Sequence, residues 1–367
     1  MNDAYPLFHP TFGSRPAQIV GRDAEIEMFL SALDGPIGSR DRCTLFLGQG
    51  GMGKTALLLE LSERAAERDY VVARVTAYEG MPDAIIEQVQ LNGSKFVDEG
   101  KRRMKGVSAG ALGFSFGLTF SEATERQYGF RAKLSLLCDK LAESGKGVIV
   151  MIDEAQTSPA MREVATVYQE LVGDEKNVAI AMAGLPHAVS GVLNDKVLTF
   201  LNRARRVELG PISLPAIRAY FAHAFHVLEI GCSNEMLDRA TAATRGLPYL
   251  MQLVGYYVVQ YTQDSKMVDE GVLAQAERAA LSDMESNVFE PILAPLSDND
   301  RIFLAAMAAD DGVTTTAALQ ARLGEGGPAI QPYRRRLIDA GVIESPRKGE
   351  LVFAVPYLAD YLREKQY

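Results

Sequence analysis

Cysteine is scarce in this sequence. Cys43, Cys138 and Cys232 stand far apart in a chain of 367 residues, so the spacing sets up neither a disulfide framework nor a zinc knuckle, and a reducing compartment suits it. An excess of positive charge is also missing: 38 Lys and Arg against 47 Asp and Glu leave a net charge of -9. That argues against a sequence-blind nucleic-acid binder, while leaving room for a local basic patch. No apolar stretch approaches the length of a membrane span, and the opening MNDAYPLFHP lacks the basic and apolar regions of a signal peptide. The expectation is a cytoplasmic protein with no membrane partner. The balance of 47% hydrophobic to 23% charged residues is that of a folded globular chain, long enough for two or three cores.

What is present begins at residue 45. In LFLGQGGMGKTALLLEL, an apolar run enters a glycine cluster, meets one lysine and one hydroxyl, and leaves as a leucine-rich helix. Gly48-Gln49-Gly50-Gly51-Met52-Gly53-Lys54-Thr55 satisfies GxxxxGK[ST] in full. Glycines reach φ values that other residues avoid, so successive N–H groups can converge on one phosphate. A helix starting near Gly53, with Ala56 in its first turn, aims the positive end of its dipole at the same anion. Lys54 would then neutralise β and γ phosphate oxygens, and Thr55 would bind Mg²⁺. The flanks suit the motif: residues 43–47 read as a buried parallel strand and 56–68 as a helix.

A second apolar run, residues 147–152, ends in Asp153-Glu154. Ligands of parallel sheets sit beyond the carboxyl ends of the strands, which would turn these carboxylates toward the phosphate loop. Asp153 suits Mg²⁺ coordination, and Glu154 suits positioning and deprotonating a water; the plain alternative is an acidic helix cap. Further strands are expected over 70–76, 177–183 and 206–209. Between them, Phe130, Leu134, Leu137 and Leu141 mark one helix face. Ser158-Pro159 starts another helix, whose apolar face is Val164, Val167, Tyr168 and Leu171. The class is α/β, a three-layer P-loop NTPase with a parallel sheet.

A glutamate directly after the acidic strand end, on a strand separate from the phosphate-loop strand, resembles the AAA+ and STAND group of P-loop ATPases. The resemblance implies sheet order 5-1-4-3-2 and ATP with Mg²⁺ as cofactors. Val20-Gly21-Arg22 is similar to the group's hhGR element, which implies that Gly21 and Arg22 lie against the adenine. Gly246-Leu247-Pro248 resembles the GxP motif, which implies that Pro248 backs the base. Two features depart from the group. Residues 181–186, Ala-Met-Ala-Gly-Leu-Pro, provide no polar sensor at the end of the fourth strand, and Arg245 is the one nearby candidate for the lid arginine. Leu201 to Arg206 resembles the segment that supplies an arginine finger to a neighbouring subunit, with Arg203 the first choice and Arg205 the second. The alternative there is a solvated basic helix end.

The domains are expected as an N-terminal extension over 1–19, an ATPase core over 20–210, a helical lid over 211–290 and a C-terminal module over 291–367. Within the core, residues 106–120 alternate apolar and small residues with period two, and the phase switches near Gly110, as in a bulged or hairpin β insertion. It reads either as a structural edge extension or as a partner-binding hairpin. The C-terminal module reads as three helices, the second capped by Thr314-Thr315-Thr316 and the third opened by Gly326-Gly327-Pro328. A β-hairpin over 341–343 and 351–353 follows, and the whole looks like a winged helix-turn-helix. Two functions are compatible with this layout. One is a nucleotide-controlled switch in which the winged helix clamps the structure, with homo-oligomers or a protein partner. The other is an ATP-dependent binder of double-stranded DNA, of the replication-initiator or transposition-helper type.

Overall fold

The computed structural model describes the chain except residues 1–6, 12, 14–15, 104–113, 117–118, 121–127, 197, 263–264, 325 and 366–367. The described residues form two compact units, one of Arg22–Gly48 with Lys54–Leu209 and one of Met1–Gly21, Gln49–Gly53 and Gly210–Tyr367.

The first unit runs α1 (Asp23–Leu33), β1 (Cys43–Leu47), α2 (Lys54–Ala66), β2 (Tyr70–Thr76), α3 (Met81–Arg103), β3 (Phe114–Phe116) and β4 (Thr119–Phe120). It continues with α4 (Phe130–Ala142), β5 (Gly147–Asp153), α5 (Pro159–Gly173), β6 (Val178–Gly184), α6 (Pro186–Leu193) and β7 (Arg205–Glu208). Five strands make one parallel sheet in the order β2-β5-β6-β1-β7. Counting only these five along the chain, that is 5-1-4-3-2 read from the β7 edge. Every residue of β1, β5 and β6 is buried, which is why these strands read as unbroken apolar runs rather than alternating ones. Helix α4 buries Phe130, Leu134, Leu137 and Leu141, and α5 buries Val164, Val167, Tyr168 and Leu171. The Ser158 hydroxyl caps α5 by accepting from the Met161 N–H at 3.0 Å. Strands β6 and β7 start and end within one residue of expectation.

Helix α3 was not foreseen, although Met81, Ile85, Ile86 and Val89 carry helical spacing and are all buried. Of the β insertion expected over 106–120, residues 106–113 and the phase switch at Gly110 lie outside the described residues. Its described remainder forms the antiparallel pair β3-β4, in register at Phe114 and Phe120.

The second unit is mostly helical: α7 (Leu214–Val227), β8 (Gly231–Cys232), α8 (Asn234–Ala243), α9 (Pro248–Tyr261), β9 (Met267–Val268) and α10 (Glu270–Met284). A π-helical segment, Glu285–Phe289, follows α10. Phe8 of the N-terminal segment is buried against Tyr220, Phe221 and Phe225. It fills the space where a side chain at Gly255 would stand, since a Cβ there would come within 2.1 Å of the Phe8 ring.

The C-terminal module contains α11 (Asp298–Ala308), β10 (Thr314–Thr315), α12 (Thr316–Leu323), α13 (Gly327–Asp339), β11 (Ile343–Glu344), β12 (Glu350–Phe353) and α14 (Leu358–Glu364). Its sheet has three antiparallel strands in the order β10-β12-β11, one more than the hairpin expected. The threonine run divides its work. Thr314 and Thr315 pair with Leu351 and Glu350, and the Thr315 hydroxyl then caps α12 by accepting from the Ala318 N–H at 3.2 Å. β-Branched residues suit both tasks, which is how a strand was hidden inside a capping motif.

Candidate active site

Strand β1 delivers the chain to the glycine-rich loop at the carboxyl end of the sheet. The loop is anchored where it starts, because the Gly48 N–H donates to the Gly184 carbonyl at the end of β6, at 3.2 Å. Gly51 and Gly53 take φ of +78° and +80°, the left-handed region that side chains avoid. Lys54 opens α2 in a buried position, and its Nζ donates to the Gly48 carbonyl at 3.0 Å. Burial pushes the Lys54 pKa down, and the nearby carboxylates of Glu154 and Asp153 push it back up.

The acidic end of β5 meets the start of α2. The Thr55 hydroxyl donates to Asp153 Oδ2 at 2.6 Å, and the Glu154 N–H donates to Asp153 Oδ1 at 2.9 Å. Asp153 is buried, while Glu154 has a φ of +53° and an exposed side chain. One carboxylate is thus locked beside a hydroxyl and the next is free to meet solvent. The Asp153–Thr55 pair supplies two hard oxygen donors, as Mg²⁺ requires. That ion takes one or two protein oxygens and completes its shell with waters and phosphate oxygens. No cluster of three or more His, Cys, Asp or Glu side chains suited to a metal occurs among the described residues, so a cage built wholly from protein is not on offer. The residues fit Mg²⁺ held jointly with a phosphate.

Strand β6 ends under this site without a polar side chain. The Ala155 N–H donates to the Ala183 carbonyl at 2.8 Å, and Gly184 lies so close to Ala155 that an added Cβ would come within 2.8 Å of its carbonyl oxygen. The position where the AAA+ group carries its sensor is filled by backbone packing.

Loop residues Gln49–Gly53 belong to the helical unit, and their neighbours there are the remaining motif residues. A Cβ at Gly51 would stand 3.7 Å from Leu247, and one at Gly53 the same distance from Pro248. Gly21, with φ of +65°, is pressed against Ile212, whose N–H donates to the Gly246 carbonyl at 2.8 Å. Gly21, Gly246, Leu247, Pro248 and the loop are therefore brought together from three separate parts of the chain. Arg22 stands at the N-terminus of α1, buried and 3.6 Å from Glu25, and burial lowers its pKa. The buried Gln49 side chain donates from Nε2 to Glu344 Oε1 at 2.8 Å. Nothing local in the sequence marks that pairing.

Two arginines stand elsewhere. Arg203 closes a short 3₁₀ turn, Thr199–Arg203, before β7. It lies at the amino end of a strand that runs parallel to β1, the opposite end of the sheet from the loop. It is exposed, and its side chain makes no hydrogen bond or ion pair among the described residues. Arg205 is half-buried, and Arg206 donates to Asn202 at 3.3 Å. Arg245, the lid candidate, is committed to the C-terminal module: its guanidinium lies 3.5 Å from the Tyr357 ring centroid and 3.0 Å from Asp360.

Residues 18–171 match the family described as the AAA ATPase domain. That stretch, which holds the phosphate loop and the acidic end of β5, is similar to an AAA ATPase domain. Beyond it, residues 286–362 match a domain of unknown function, DUF8462. No curated protein matches the chain. Among solved structures, a Walker-type ATPase of Pyrococcus abyssi is similar with a TM-score of 0.68 at 18% identity, over 95% of this chain and 97% of that one. The Aeropyrum pernix ORC2 protein, in its ADPNP-ADP complexes, is similar with a TM-score of 0.64 at 14% identity, over 97% of each chain. At such identities the likeness is one of fold alone. An AAA ATPase fold implies nucleotide binding.

Proposed function

We propose that the protein is a Mg²⁺-dependent, ATP-hydrolysing switch of the AAA+/STAND kind, acting in the cytoplasm, in which the C-terminal module reads the state of the phosphate loop. In this reading, the loop from Gly48 to Gly53 wraps the phosphates, backbone N–H groups after the anchored Gly48 and those of Thr55 and Ala56 cradle them, and Lys54 neutralises them. Gly21, Arg22 and Pro248 bracket the adenine. Thr55 and Asp153 would hold Mg²⁺, whose charge would offset that developing on the phosphates. Glu154, exposed beside the locked Asp153, accepts the proton of the attacking water. Arg203, without a hydrogen-bond or ion-pair partner among the described residues and at the far end of the sheet from its own loop, completes the site of a neighbouring copy.

The observation that carries the switch reading is the Gln49–Glu344 hydrogen bond. It joins a phosphate-loop side chain to β11 of the C-terminal module, and a loop reshaped by nucleotide cannot leave that bond undisturbed. Hydrogen–deuterium exchange of the full chain with Mg²⁺-ADP and with a non-hydrolysable Mg²⁺-ATP analogue tests it. Protection of residues 341–353 is expected to differ between the two; identical protection with both nucleotides bound would remove the switch.

A second reading, ATP-dependent binding of duplex DNA by the C-terminal module as a winged helix, has one observation in its favour. The Arg335 side chain on α13 is 87% exposed, and Arg347 and Lys348 are exposed between β11 and β12.

A further inference from the structure

The helical unit contains a cavity of about 410 Å³, within the range of small-ligand sites. No residue of the nucleotide reading lines it. Helix α9 contributes Leu250 and Val254, one turn apart, α10 contributes Leu281 and Glu277, again one turn apart, and α8 contributes Arg239. Tyr357 closes it from the segment before α14. That wall is held firmly, since the Tyr357 hydroxyl donates to the Ala243 carbonyl at 2.7 Å and the ring carries Arg245 at 3.5 Å.

The two charged lining residues are incompletely used. Glu277 is half-buried, and its carboxylate makes no hydrogen bond or ion pair among the described residues. Burial raises its pKa, and the Arg239 charge counters that. Arg239 reaches Glu270 at 3.1 Å, but the Glu270 side chain is 81% exposed. Such a pair holds weakly, and the guanidinium fork keeps further N–H donors for a second carboxylate. A half-desolvated carboxylate without a partner is costly, and a ligand that pairs it recovers that cost.

We propose that this cavity binds a small zwitterion with an apolar body, the chemistry of a free amino acid with a large apolar side chain. The ligand's ammonium pairs with Glu277, its carboxylate with Arg239, and its side chain lies among Leu250, Val254, Leu281 and the Tyr357 ring. Charge balance selects the zwitterion. An amine without a carboxylate meets the Arg239 charge, and a carboxylate without an amine meets Glu277.

Calorimetric titration of the full chain with L-phenylalanine and L-leucine tests this, with phenethylamine and 3-phenylpropionate as probes that each lack one charge. Saturable one-to-one binding is expected for at least one amino acid, and about tenfold weaker binding for either single-charge probe. Glu277→Gln and Arg239→Gln should each weaken amino-acid binding by about tenfold or more, while nucleotide affinity, which reports that the variants fold, stays unchanged. The proposal is overturned if neither amino acid binds. It is equally overturned if a single-charge probe binds as tightly, or if both folded variants bind like the parent.

Discussion

Gln49 and Glu344 share a 2.8 Å hydrogen bond. The glutamine is the second residue of the phosphate loop and is buried, while the glutamate lies on β11 and is exposed. A carboxylate held by the phosphate loop works against each negative charge brought to that loop. Glu344→Gln keeps an oxygen acceptor for the Gln49 amide and removes the charge. Affinity should rise for both nucleotides, and more for ATP than for ADP, by about 1 kcal/mol or a fivefold change in their ratio. Calorimetry with the two nucleotides measures that ratio, and an unchanged value would take Glu344 out of nucleotide discrimination.

Glu154→Gln separates binding from chemistry. The amide preserves the shape of the exposed side chain but cannot accept a proton from water. Turnover should fall by about a hundredfold or more, with Mg²⁺-ATP affinity little changed. A variant that hydrolyses ATP at the parent rate would return Glu154 to the role of an acidic cap after β5.

Gly184→Ala probes the crowded end of β6. The new Cβ would stand 2.8 Å from the Ala155 carbonyl oxygen and 2.9 Å from Val189 Cγ2, and the backbone oxygen is the less able to give way. The expected cost is about 1–3 kcal/mol of stability, seen as a lowered melting temperature. Hydrolysis should drop further than the stability loss explains, because Ala155 directly follows Glu154. Unchanged melting would mean that the sheet end relaxes freely.

Arg203→Ala should reduce hydrolysis only where sites form between copies. Lys54→Ala removes the loop's one cation and should abolish tight nucleotide binding in its own subunit. Mixing the two inactive variants therefore restores one complete site wherever Arg203 of a Lys54→Ala copy faces an intact loop. Recovered ATPase activity in the mixture supports that arrangement, and its absence at every protein concentration counts against it.

The duplex-DNA reading depends on few cations. Arg334 is engaged by Ser345 at 2.9 Å and Arg336 by Asp300 at 2.8 Å, which leaves Arg335, 3.8 Å from Asp339, as the outward member of the triplet. If DNA is bound here, log K falls with log salt concentration. Arg335→Ala should then flatten the slope by about one, and a double change at Arg347 and Lys348 by about two. Wild-type protein with no salt-sensitive binding to duplex DNA in any nucleotide state would end this reading.

The conformation of the loop was legible at once because it is local. Gly51, Gly53, Lys54 and Thr55 lie within one short stretch, and the φ values and helix start they need are properties of neighbouring residues. The β5 strand was equally readable, since a buried parallel strand must be apolar throughout, whereas its Asp153-Glu154 end reads equally as an acidic helix cap. Strand β10 was not, because a threonine run suits a strand and a helix cap equally well and only pairing with β12 decides between them. The same holds for the hydrogen bond from Gln49 to Glu344 and for the packing of Gly21 on Ile212 beside Gly246. A glutamine in a loop and a glutamate in a hairpin carry no spacing, periodicity or charge pattern that refers to each other. Their pairing is chosen when the helical unit folds around loop residues 49–53, and only the tertiary structure holds that information.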